Sequence, residues 1–266
     1  MANRIGIIGG GQLGRFLAKA AKRLGFHVTI LDPTPNSPAG QVADEQILGD
    51  FKDARFIRKL AKKIDYLTFE IELANAEILK ELTSKGIKVS PSAESLLIIK
   101  DKLKQKTFLR NLKIPVADFK RVSSKKEIRE AGKKFGYPIL LKARFDAYDG
   151  RGNFLIKKPE DIETALKKLS NRKLYVEKFV SFSKELAINV ARSINGDIAT
   201  HPLVETIHKN NICHIVKVGN IFKKSIRDKA AALAANVMRH LKGAGLFSIV
   251  TVQHLFFDIY FFAWLC

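Results

Sequence analysis

Several things are scarce in this sequence. Only two cysteines occur in 266 residues, Cys213 and Cys266, with no CxxC pair and no zinc-ligand spacing. A disulfide framework and a structural zinc site are therefore not expected, and a reducing cytoplasm is. No basic n-region and apolar h-region precede the glycine-rich strand that begins by Ile5, so no secretory leader is expected. Internal repeats and low-complexity tracts are absent. So is the Gly-Lys-Ser/Thr ending of a Walker A loop. Acidic residues are few beside basic ones, 26 against 47, leaving a formal net charge of +21.

That surplus first suggests nucleic acid, whose counterions Lys and Arg release. The lysines, however, are spread through amphipathic patterns such as Lys52-Asp53-Ala54-Arg55-Phe56-Ile57-Arg58-Lys59-Leu60-Ala61-Lys62-Lys63, with no aromatic interleaving. The expectation is a solvated lysine-rich surface and a small anionic substrate, not nucleic acid. Hydrophobic content of 46% with 27% charged residues is that of a globular chain with one large or two ordinary domains.

An α/β class follows from the order of patterns. Ile5-Gly6-Ile7-Ile8 reads as a strand and Gly9-Gly10-Gly11 as a turn. Leu13, Phe16, Leu17, Ala20, Ala21 and Leu24 recur at helical spacing before Gly25, and 27–32 reads as a second strand. Helices over 53–63 and 75–85 then alternate with strands over 66–70 and 87–89, which predicts a parallel sheet covered on both faces. After Pro91 one basic helix is expected over 95–111. A second unit follows, with strands over 138–143, 153–157, 174–179 and 186–192 and a helix over 160–169. The expected domains are 1–97 and 98–247, with an apolar tail over 248–266. Gln253, His254 and Asp258 interrupt that tail and no basic flank follows, which disfavours a membrane span.

Two glycine motifs carry chemistry. Gly9-x-Gly11-x-x-Gly14 follows a strand and opens a helix, where backbone can approach an anion, and Asp32 ends the next strand as a ribose-binding acid would. An NAD-type site, a site for another ligand, and a turn that only packs tightly are all open on this motif. In the second, Lys142 ends an apolar strand and the loop Ala147-Tyr148-Asp149-Gly150-Arg151-Gly152-Asn153 follows, able to cover phosphates that the lysine neutralises. A plain hairpin turn is the simpler alternative. Downstream, Glu177 ends an apolar strand and Glu185 follows; taken singly, each reads as readily as a surface acid.

Six motifs fall in order: Gly9-Gly10-Gly11-Gln12-Leu13-Gly14-Arg15, Thr68-Phe69-Glu70-Ile71-Glu72, Pro91-Ser92, Asp101-Lys102, the loop 147–153, and Val204-Glu205-Thr206-Ile207-His208. Together they resemble the 5-(carboxyamino)imidazole ribonucleotide synthase family over residues 4 to about 247. The resemblance implies a Rossmann-like pre-ATP-grasp domain followed by an ATP-grasp (α+β) domain. It implies ATP- and bicarbonate-dependent carboxylation of the exocyclic amine of 5-aminoimidazole ribonucleotide through carboxyphosphate, with Mg2+ bridging the ATP phosphates. The oligomeric state is left open by the sequence, a homodimer included.

By the same resemblance, Lys102 and Lys142 neutralise ATP phosphates and residues Ala147, Tyr148, Asp149, Gly150, Arg151, Gly152 and Asn153 cover them. Glu177, Lys178, Phe179 and Val180 hold adenine, Glu185 takes the ribose, and His208 matches a nucleotide position. Asp149 and Arg151 orient bicarbonate and the aminoimidazole as catalytic residues. Gly11, Gln12, Leu13 and Glu70 face the ribonucleotide, and Asp32 becomes a strand-end acid. The family's metal-binding glutamate falls at Val250, and its Asn-Glu strand and C-terminal domain have no counterpart in the sequence. A C-terminally truncated, inactive or nearly inactive chain with no metal ligands is the resulting expectation. An NAD-dependent oxidoreductase, a non-catalytic nucleotide-binding fragment and an ATP-grasp carboxylase acting on another amine or on biotin are the alternatives.

Overall fold

Aliphatic residues fill the strands of the first domain, and neighbours in sequence serve opposite faces. In the computed structural model, which describes residues 3–147, 152–209, 212–219, 221–253 and 259–262, five parallel strands form one sheet. They are β1 (Arg4–Ile8), β2 (His27–Asp32), β3 (Glu45–Leu48), β4 (Tyr66–Phe69) and β5 (Lys88–Val89), in the order β3-β2-β1-β4-β5. Ile7 and Ile30 point to one side, packing with Val28 against Ala18 and Ala21 of α1 (Gln12–Arg23). Ile8 and Leu31 point to the other, against Ile57 and Leu60 of α2 (Ala54–Ala61) and Leu79 and Leu82 of α3 (Ala76–Ser84). Burial on both faces is what a parallel sheet requires. Asp53 and Asn75 cap the two later helices, accepting from the amides of Arg55 and Ile78.

The single basic helix expected over 95–111 is two helices, α4 (Ala93–Ile99) and α5 (Lys102–Asn111). The break has a local cause. Asp101 leaves the helical conformation and its carboxylate accepts from the amides of Leu103 and Lys104, at 3.1 and 3.4 Å, which starts a new helix with Lys102 as its first residue. Ala93 and Leu96 of α4 belong to the core of the first sheet, while Ile99 belongs to the core beyond it.

That second region holds two sheets. β6 (Phe119–Val122), β7 (Ile139–Ala143), β8 (Asn153–Ile156) and β9 (Leu174–Lys178) pair antiparallel in the order β6-β9-β7-β8. The helices α6 (Lys125–Phe135) and α7 (Ile162–Lys168) cover one face. The last sheet runs β13-β12-β10-β14-β15, with β11 beside β10. Its strands are β10 (Lys184–Arg192), β11 (Ile198–Thr200), β12 (Val204–Lys209), β13 (Ile212–Lys217), β14 (Gly245–Gln253) and β15 (Ile259–Phe262). Leu186, Ile188, Phe247 and Ile249 of this sheet pack against Val237 and Met238 of α8 (Lys224–His240), with Leu109 of α5 in the same core. Residues 248–253, where the sequence suggested the start of a tail, continue β14, whose register on β10 runs from Lys184↔Gln253 to Arg192↔Gly245. No helix among the described residues is long and apolar enough to cross a membrane.

Candidate functional site

In the first sheet the chain order reverses between β1 and β4, and a crevice opens beyond their carboxyl ends, where sheets of this kind bind ligands. Gly9 leaves β1 with φ of +100°, and a Cβ on Gly14 would collide with the Gly9 carbonyl oxygen, so the glycines draw α1 close to the strand end. Two carboxylates close the turn. Asp32 accepts from the amide of Gly10 at 2.7 Å and from that of Thr34 at 2.8 Å; Glu70 accepts from the amide of Gly11 at 3.1 Å. A dinucleotide would need these amides for its pyrophosphate and Asp32 for a ribose, and all are already engaged. This removes the main support for the NAD reading. Leu13, Phe16, Phe69, Glu70, Glu72 and Leu246 are among the residues lining a cleft of about 540 Å³ that runs along β4 from this end to Tyr66 at its start, and Gln12 is exposed at the start of α1. Burial pushes the Glu70 carboxyl above its ordinary value; the Gly11 amide opposes this and the charge of Asp32 adds to it.

The second cluster comes from strand alternation. Ile139, Leu141 and Ala143 of β7 and Leu174 and Val176 of β9 fill one core, so Lys142, Tyr175 and Glu177 share the opposite face. Helix α5 supplies Lys106, one turn after Lys102. Lys106 Nζ lies 2.6 Å from Glu177 Oε1 and Lys142 Nζ 3.3 Å from Glu177 Oε2, while the Tyr175 hydroxyl donates to the same Oε2 at 3.5 Å. Glu177 is fully buried, so its reading as a surface acid fails. Burial pushes its carboxyl up, yet Lys142 and Lys106 more than offset that and hold it below its ordinary value. Burial holds Lys106 below its ordinary value, with Glu177 opposing and Lys142 adding to the effect. Burial, then the charge of Glu177, pushes the Tyr175 phenol well up.

The entrance of the β7–β8 connection is tied to α5. The amide of Lys102 donates to the Arg144 carbonyl at 2.8 Å, and Arg144 Nε donates to Asp101 Oδ1 at 3.0 Å. The amide of Ala143 donates to the Gly152 carbonyl at 2.8 Å, and Asn153 sits opposite Lys142 in the ladder. A Cβ on Gly152 would collide with Ala147, so the two ends of the loop meet closely. Tyr148, Asp149, Gly150 and Arg151 lie outside the described residues. At the end of β9, Lys178, Phe179 and Val180 line a pocket of about 370 Å³ with residues 116–118. On the neighbouring sheet His208 Nδ1 lies 3.0 Å from Glu185 Oε1, to which the Thr206 hydroxyl also donates at 2.7 Å, so those two positions are brought together.

Lys102 Nζ pairs with Glu72 Oε2 at 3.0 Å, across from the first domain. Glu72, Lys106 and Tyr175 thus join the site without having been expected there from the sequence. The spacing of four between Lys102 and Lys106, and of two between Glu70 and Glu72, were the available signals. For a metal the fit is poor. No group of three or more His, Cys, Asp or Glu side chains able to hold one occurs among the described residues, and Val250, half-buried opposite Ala187, offers no oxygen from its side chain.

Comparisons with known proteins agree with this geometry. The ribonucleotide synthetase pre-ATP-grasp domain matches residues 1–100 and the ATP-grasp domain matches 107–254. A phosphoribosylaminoimidazole carboxylase from Ogataea methanolica is 45% identical over 249 residues, covering 92% of this chain and 46% of the relative, so the chain spans under half of that protein's length. Two crystal structures of the Aspergillus clavatus enzyme are similar throughout. The carboxyaminoimidazole ribonucleotide synthase complexed with ATP superposes with a TM-score of 0.93 at 35% identity, covering 98% of this chain and 69% of that one. The complex with ADP and 5-aminoimidazole ribonucleotide gives 0.90 at 34%, with the same coverage. The chain belongs to the ATP-grasp family, among the carboxyaminoimidazole ribonucleotide synthases.

Proposed function

We propose that the chain supplies the nucleotide-binding and ribonucleotide-facing parts of an ATP-grasp carbon–nitrogen ligase of purine biosynthesis. The reaction is ATP- and bicarbonate-dependent carboxylation of the exocyclic amine of 5-aminoimidazole ribonucleotide. Bound ATP would supply the phosphoryl group that activates bicarbonate as carboxyphosphate, leaving ADP and phosphate once the carboxyl group has passed to the amine. Bicarbonate, the cytoplasmic setting and a homodimer belong to the same proposal.

The observation that carries it is the pairing of Lys142, near the end of β7, with Glu177 in one buried cluster, with Lys102 on the same helix as Lys106. Lys142 and Lys102 keep 15% and 11% of their side chains exposed and present ammonium groups to phosphates; Lys106, at 5%, holds Glu177 from behind. With the Glu177 carboxylate bound to two lysines, adenine is read chiefly by the backbone of 177–180. Glu185, steadied by Thr206 and His208, takes the ribose hydroxyls. Asp149 and Arg151 are assigned to bicarbonate and the aminoimidazole, and Gly11, Gln12, Leu13 and Glu70 to the ribonucleotide. The protein's contribution is positioning and charge neutralisation.

Nucleotide-dependent thermal shift tests this reading. ADP and ATP are expected to raise the melting temperature and NAD to leave it unchanged; stabilisation by NAD with none by ATP would reverse the assignment.

A further inference from the structure

Glu72 leaves β4 two residues after Glu70, within the first domain, and none of the expected roles includes it. Its Oε2 lies 3.0 Å from Lys102 Nζ, and the two side chains are 13% and 11% exposed. The desolvation of such a pair consumes most of its Coulomb energy, so it is a poor device for mere stability. The other oxygen, Oε1, is buried with no hydrogen-bond partner among the described residues. Of the contacts described, the pair with Lys102 is the one Glu72 makes.

An ammonium group carries three donors, so Lys102 can keep Glu72 and still donate toward a phosphate. A long flexible lysine loses rotamer entropy when a ligand immobilises it, and a lysine already held loses that freedom during folding. The first turn of α5 is fixed on the other side by the Arg144 carbonyl and by Asp101. Glu72 adds a restraint on the Lys102 side chain itself.

We infer that Glu72 is a positioning residue for nucleotide binding, which holds the Lys102 ammonium in place before the phosphates arrive and so lets a side chain of the ribonucleotide-side cleft set the grip on ATP. The inference rests on the nucleotide-binding function proposed above.

A double-mutant cycle on the full chain tests it, with ADP and adenosine as probes in calorimetric and competition titrations. Glu72→Gln keeps the shape and removes the charge. It is expected to weaken ADP binding about fivefold in the parent and to add nothing in a Lys102→Met background. Adenosine, which lacks phosphates, should bind parent and Glu72→Gln alike. In a Lys102→Arg background sensitivity to Glu72→Gln should return, since a guanidinium can also engage the carboxylate. Equal losses in both backgrounds, an equal loss for adenosine, or tighter ADP binding by Glu72→Gln would overturn the inference and leave the proposed function standing. A parent chain that fails to bind ADP would overturn both. Should Glu72→Gln melt below the assay temperature, Glu72→Asp, which draws the carboxylate back by one methylene, replaces it with the same expectations.

Discussion

At the scale of single residues, the acids of the first domain show how one side chain serves structure at a cost. Glu70 accepts from the Gly11 amide while its carboxyl is held above its ordinary value, chiefly by burial. An acid whose folded pKa is raised binds its proton more readily in the fold than in the unfolded chain. Its ionisation therefore costs stability at neutral pH, and that cost disappears as the pH falls below the unfolded value of about 4.3. Glu70→Gln keeps an oxygen for the Gly11 amide and removes the charge facing Asp32. It is expected to stabilise the chain by about 0.5–1 kcal/mol at pH 7 and by nothing near pH 3, read from urea unfolding at the two pH values. Under the proposed function the same variant binds 5-aminoimidazole ribonucleotide less well, the usual exchange of stability for activity at a site.

Among the elements, α5 decides where the cations stand. Asp101 both caps this helix and receives Arg144, so Asp101→Ala removes a cap and strands a largely buried guanidinium. A loss of about 2–4 kcal/mol in urea-unfolding free energy is expected, well beyond an ordinary cap deletion. This junction is also where the sequence was least legible. The amphipathic pattern runs through residues 95–111 without a glycine or proline, and the break depends on the fit of one carboxylate to two amides and to a distant arginine. The strands β1, β2, β4, β7 and β9 were legible because short apolar runs bounded by turn residues decide them locally. The helix α6 had a readable start in Ser123-Ser124 and Glu127, whose side chains and amides bond reciprocally, yet it escaped notice in a lysine-rich stretch. Lys106 and Glu72 escaped for another reason. On a chain with 47 basic residues one more lysine on a helix looks like surface, and only the tertiary fold buries it against Glu177.

For the molecule as a whole, the proposed function assigns grip and turnover to different parts. The cationic groups come from α5 and β7, next to the acid of β9. The strand on which the family resemblance puts a metal-binding glutamate is β14, where Val250 stands opposite Ala187. A side chain without oxygen cannot hold Mg2+ against water. Phosphate release by the purified chain with ATP, bicarbonate and 5-aminoimidazole ribonucleotide is therefore expected near background while ADP binding persists. Robust turnover in a coupled phosphate assay would refute that separation.

The stitching of Arg144 to α5 has a mechanical side. The helix start and the entrance of the β7–β8 connection share a backbone bond and a side-chain clamp, so neither swings alone. Under the proposed function, Lys102, the first residue of α5, therefore moves together with the entrance of that connection when nucleotide is admitted.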